Sequence, residues 1–162
     1  MQAATSRKAT VTLPSNTEIL ITREFAAPRH LVYRAWTTPE LVKRWWSADM
    51  GEVTVAEIDL RVGGKWRYVM VTHGGQEVGF HGECREIVPN ERLVSTEIYE
   101  GMPGSEGSLN TATFSEVSGR TTLSILVQHD TQANRDAHLN SGMEAGMQKT
   151  LNYLEDVALS LR

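Results

Sequence analysis

The chain has 162 residues, is 40% hydrophobic and 22% charged, and carries a formal net charge of −4 at pH 7. That length supports one domain with a real core, and an acidic balance with no lysine or arginine run argues against a nucleic-acid partner. No apolar stretch approaches the roughly 20 residues a membrane-spanning helix needs, and Cys84, the single cysteine, excludes an intrachain disulfide or a cysteine-rich metal site.

The opening residues MQAATSRKATVTLPS lack the apolar centre of a signal peptide and read as a flexible polar tail over 1–16, followed by one domain over 17–162. With a lone thiol, this fits a reducing, cytoplasmic setting. Residues 17–25, TEILITREF, alternate as a strand does, with Ile19, Ile21 and Phe25 on one side. Pro28 then suits a helix start, and Leu31, Val32, Ala35 and Trp36 fall at helical spacing. Thr38 and Pro39 restart a second short helix carrying Leu41, Val42, Trp45 and Trp46. Two short helices after one strand predict a plug at one end of a sheet.

From residue 52 the pattern is strand after strand. Segments 52–59, 65–72, 77–88, 92–99, 109–117 and 121–129 alternate, and Gly63-Gly64, His73 to Gln76, Pro89-Asn90 and Ser118-Gly119 mark the turns. Gly79 and Gly82 inside one strand predict a bulge or bend there, and 100–107 reads as a glycine-rich loop. Successive strands joined by tight turns predict an antiparallel meander.

The final stretch, 133–161, closes the chain. Met143, Met147, Leu151, Leu154, Ala158 and Leu161 recur at three- and four-residue steps, while Lys149, Asn152, Glu155 and Asp156 fall mostly on the other face. One long amphipathic helix is predicted, and only it is long enough to cover the sheet. Gly142 and Gly146 lie within it, each costing roughly 1 kcal/mol relative to alanine. Two reasons present themselves: close packing on the sheet, or a roof left shallow for a ligand.

Five segments in this order carry a resemblance: FAAPRHLVYRAWTTPELVKRWW (25–46), EIDLRVGGKWRYVM (57–70), GECREIVPNERLVSTE (82–97), ATFSEVSGRTTLSI (112–125) and RDAHLNSGMEAGMQKTLNYLEDVA (135–158). Over about 17–160 the chain resembles the START-like (SRPBCC) superfamily, in its bacterial branch related to the activator of the heat-shock-protein-90 ATPase. The resemblance implies an α+β helix-grip fold: a curved antiparallel sheet of about seven strands wrapped around a long C-terminal helix, with two short helices after the first strand and an apolar cavity between sheet and helix. Its members range from lipid carriers to polyketide cyclases and chaperone partners, so activity does not transfer with the fold. It also leads us to expect a bulky residue at position 84 and an aromatic at 95. Cys84 and Ser95 stand there instead, and facing inward they would enlarge the cavity.

On this reading the ligand-binding candidates are Trp46, Trp66, Tyr68, Met70, Phe80, Cys84, Ser95, Glu97, Met143 and Met147. Trp66, Tyr68 and Met70 alternate onto one sheet face, as lining or as plain core. Trp36 reads as core. Trp45 and Trp46, being consecutive, cannot face the same way on a helix, so one is expected at the cavity mouth and the other at its rim. Glu97 shares a face with Leu93 and Ser95, and a carboxylate there must be paired or protonated. Arg23 or Arg85 would make a structural ion pair with it; otherwise Glu97 is a ligand anchor or a general base.

His30, His73, His81, His129 and His138 form no ligand pair at helical spacing and read as exposed, with His81 on the face opposite Phe80. Ser95, Ser124 and Cys84 lack a readable His/Asp arrangement, and no Lys-Ser/Thr follows Gly63-Gly64 to make a phosphate loop. No catalytic residue, metal or cofactor is therefore expected. The expected function is non-catalytic binding of a small hydrophobic or amphipathic molecule (lipid, aromatic or polyketide-like). Its rivals are a cyclase or hydrolase using Glu97 or His81, and a chaperone-interaction module. Exposed edge strands, with Trp45 or Trp46, offer surfaces for a homodimer.

Overall fold

The computed structural model describes residues 8–101 and 107–162, so residues 1–7 of the expected tail and 102–106 of the expected glycine-rich loop lie outside the described residues. Its elements are β1 (Thr10–Thr12), β2 (Glu18–Phe25), α1 (Arg29–Thr37), α2 (Pro39–Trp45), β3 (Gly51–Ile58), β4 (Lys65–Thr72), β5 (Glu77–Val88), β6 (Arg92–Tyr99), β7 (Ser108–Val117), β8 (Arg120–His129), α3 (Gln132–Leu139) and α4 (Met143–Ser160). The eight strands form one antiparallel sheet in the order β1-β2-β8-β7-β6-β5-β4-β3. This is the α+β helix-grip architecture that the resemblance implies. The first long strand pairs with the last, and the meander runs in sequence from β3 at the far edge to β8 beside β2.

Alternation dictates which face is covered. On β2, Ile19, Ile21, Arg23 and Phe25 are buried, and on β8 Thr121, Leu123, Ile125 and Val127. Leu31, Val32 and Ala35 of α1, Val42 and Trp45 of α2, and Leu151, Leu154, Val157 and Ala158 of α4 complete the same core. Among the described residues no helix is long and apolar enough to cross a membrane.

Three expectations are corrected. The N-terminal segment is not loose throughout. Val11 pairs with Ile21, and Ala9, only 2% exposed, has both backbone groups bound by the Gln148 side chain, at 2.8 Å for its N–H and 2.9 Å for its carbonyl. The C-terminal helix is two helices, because Gly142 adopts φ +83 and caps α4 from the left-handed region, which glycine enters without steric penalty. The β5 irregularity lies between Cys84 and Glu86, not at Gly79 or Gly82. Gly146 is not required by close packing, since an added Cβ would meet only the Cε of Met50, at 3.9 Å, and it is not itself among the residues lining the cavity between sheet and helices.

The sheet and α4 are joined by a buried charge pair. Arg23 is 1% exposed and Glu155 3%. One arginine nitrogen donates to the Leu151 carbonyl at 2.9 Å and another to Glu155 Oε1 at 3.2 Å. Glu155 Oε2 accepts from the Ala26 backbone N–H at 2.9 Å, and the guanidinium lies 4.6 Å from the Phe25 ring centre. Two ions withdrawn from water persist only when paired and hydrogen-bonded in this way.

Removing one partner strands the other. Glu155→Ala is expected to lower stability by about 3–5 kcal/mol in urea denaturation, and Arg23→Met with Glu155→Leu to recover most of that loss. Gly146→Ala, in a helix with open space around it, is expected to raise stability by roughly 1 kcal/mol in the same measurement.

Candidate functional site

Between sheet and helices lies a cavity of about 330 Å³. Its floor follows from strand periodicity. Trp66, Tyr68 and Met70 of β4, Phe80 and Cys84 of β5, and Ser95 and Glu97 of β6 all project into it. Cys84 and Ser95 are direct cross-strand partners, so the two small side chains form one continuous recess. The α1–α2 plug contributes Trp36, Trp45 and Trp46, and α4 roofs the space with Met143, Met147 and Thr150. Every ligand-binding candidate from the sequence thus lies on one wall system.

The aromatic wall is interlocked. Trp46 meets Tyr68 edge-on at 5.6 Å and Phe80 at 5.9 Å, and Trp66 lies 4.9 Å from Tyr68. Trp66 is oriented by its indole N–H, which donates to the Thr96 carbonyl at 3.0 Å. Gly82 makes that possible: a Cβ there would sit 1.8 Å from the Thr96 oxygen and 2.6 Å from Trp66 Nε1. Trp45 stacks on Trp36 at 5.3 Å and donates to the Ala35 carbonyl at 2.9 Å. Contrary to the rim-and-mouth expectation, both Trp45 and Trp46 line the cavity. Trp36 is half-buried cavity wall as well as core. Trp45, 3% exposed, offers no outward surface for a dimer, while Trp46 is half-buried and turned toward the cavity.

Glu97 is the polar feature of the floor. Arg23 and Arg85 do not pair it: Arg23 is engaged by Glu155, and Arg85 lies 3.5 Å from Glu83. Glu97 instead accepts from the Asn110 amide N–H, and Asn110 Oδ1 accepts from the Ser108 hydroxyl at 2.9 Å. Its accessible surface faces the cavity. Burial pushes the carboxyl pKa above its ordinary 4.5, and the Asn110 hydrogen bond pulls the other way. Burial likewise raises the Tyr68 phenol, helped by the charges of Cys84 and Glu97, and raises the Cys84 thiol above 9.0. A thiol so placed is disfavoured as a thiolate, hence a poor nucleophile.

The histidines divide. His30 and His73 are exposed. His81 lies outside the cavity, 2.9 Å from Glu100, which Arg67 also binds at 2.9 Å. The missing side chain of Gly79 leaves room for that carboxylate. The cavity acid–base role considered for His81 is therefore excluded by its position. His129 and His138 are half-buried, not exposed, and share a hydrogen bond of 3.0 Å between Nε2 and Nδ1. Desolvation lowers both pKa values, and His138 touches the cavity.

Asn110, Thr150 and His138 are wall residues the sequence reading did not single out. Asn110 was within reach, since alternation places it with Ala112 and Phe114, both buried. Thr150 and His138 follow only from how α3 and α4 sit. Among the described residues no group of three or more His, Cys, Asp or Glu side chains is placed to hold a metal ion. The arrangement is suited to enclosing an apolar molecule and orienting it through one carboxyl.

Across residues 26–158 the sequence matches the family model described as Activator of Hsp90 ATPase homolog 1-like protein. A solved protein from Rhodobacter sphaeroides is 26% identical, with a TM-score of 0.86 over 96% of this chain and 100% of that one. A protein from Chromobacterium violaceum is 28% identical, with a TM-score of 0.73 over 89% of this chain and 98% of that one. A Nitrosomonas europaea protein is 25% identical, with a TM-score of 0.82 over 92% and 98%. No curated protein matches the chain.

Gly82→Ala tests how the wall is built. It is expected to cost about 2 kcal/mol or more in chemical denaturation, and to shift tryptophan emission as Trp66 loses its carbonyl partner.

Proposed function

The chain belongs to the Activator of Hsp90 ATPase homolog 1-like family, and from that premise we propose that it binds one small hydrophobic or amphipathic molecule without transforming it. The observation that carries this is the cavity. Its volume of about 330 Å³ falls at the lower end of ordinary ligand sites, and aromatic, methionine and aliphatic side chains together dominate its wall, with one carboxyl among the described residues. The same proposal sets the protein in the reducing cytoplasm.

Two other readings keep specific support. Glu97 stands in the cavity with a raised pKa, as a general acid or base would; turnover that survives Glu97→Gln would remove that reading. Family membership supports a chaperone-interaction role, and a purified chaperone whose ATPase rate does not respond to the protein would remove that one.

Native mass spectrometry of freshly purified protein, with tryptophan-fluorescence titration against lipids, flavonoid-like aromatics and polyketides, tests the binding reading. Quenching by at least one class is expected, and Ser95→Phe, which fills the recess beside Cys84, is expected to weaken that binding by about tenfold or more. No response from any class rejects it.

A further inference from the structure

We infer that the ligand of this cavity is an apolar amine, held by its ammonium group at Glu97 and by its hydrocarbon or aromatic body against the tryptophan–tyrosine wall. The inference rests on the ligand-binding reading and narrows it to a chemical class. A carboxylate has room for about four hydrogen bonds, and among the described residues Glu97 accepts one, from Asn110, itself fixed by Ser108. Among the described residues no lysine, arginine or aspartate lines the cavity, so the protein supplies no counter-charge to this carboxyl there. A ligand ammonium does, while a fatty acid or other anion is repelled.

The walls favour the same class. Trp46, Trp66 and Tyr68 form a connected aromatic surface, and ring faces attract cations within about 6 Å, most strongly when the pair is shielded from water. Tyr68 is close enough to Glu97 for the carboxylate to act on its phenol. Besides Glu97, the titratable groups on the wall are Tyr68 from β4, Cys84 from β5 and His138 from α3. Burial disfavours charge on all three, and it raises the Glu97 pKa as well; an ammonium beside that carboxyl is what favours its ionised form.

The experiment uses 4-phenylbutylamine, 4-phenylbutanol and 4-phenylbutanoate, which differ only in head group, titrated into the full chain by calorimetry. The amine is expected to bind about tenfold or more tighter than either other compound, as a hydrogen bond to a charged group warrants. In Glu97→Gln that preference over the alcohol is expected to fall to about threefold or less, with the alcohol's own affinity nearly unchanged. A pH series on the wild type is independent of whether the variant folds. Amine binding is expected to weaken as pH falls through the Glu97 titration, because a neutral carboxyl cannot pair an ammonium, while alcohol binding stays flat. Alcohol or acid binding as tightly as the amine, a preference that persists in Glu97→Gln, or a flat amine profile overturns the amine assignment and leaves ligand binding standing. No binding of any of the three overturns the amine assignment, and overturns ligand binding as well only if lipids, flavonoid-like aromatics and polyketides also give no response.

Discussion

The whole arrangement hangs on one ion pair between residues 132 positions apart, Arg23 on the second strand and Glu155 on the last helix. Neither charge reaches water, so each is tolerable only because the other is there. Hydrophobic contacts between helix and sheet are numerous but undirected, and they would allow the helix to slide or roll. The guanidinium, bonded to a helix carbonyl as well as to the carboxylate, admits one height and one rotation of α4.

Fixing the helix at one end decides what happens at the other. Leu154, Val157 and Ala158 pack tightly in the half of α4 near Glu155, whereas Met143, Met147 and Thr150 stand over the strands with space beneath. Large rings could fill that space only by leaving the partners that hold them. Trp66 is tied to Thr96, Trp45 to Ala35, and the recess between β5 and β6 is lined by a thiol and a hydroxymethyl group. The cavity is what remains when a clamped roof meets a wall whose side chains are already committed.

Much of this was legible from residue order. The long strands and the two short helices begin and end within a residue or so of where alternation and turn chemistry put them, because their own side-chain patterns mark which face turns inward. What escaped was whatever depends on a distant partner. A three-residue strand such as β1 is too short to show a period, and it holds its place through β2 and the Gln148 amide. The stripe begins only at Met143, and nothing in residue order separates 133–141 from it, so periodicity alone passes over a break written in one backbone angle. Glu97 was readable as inward-facing, but its neighbours were not. Arginine was the obvious choice on charge, and the structure gives an amide instead, with Arg23 engaged by Glu155 of α4.

The Gln148 amide also has a mechanical meaning. It grips both the N–H and the carbonyl of Ala9, so the outermost edge of the sheet is fastened directly to the middle of the roof. Any displacement of that part of α4 would pull on the chain just ahead of β1, and fraying of that margin would remove a brace from the roof. Roof and sheet border are, on that side, coupled through one side-chain amide.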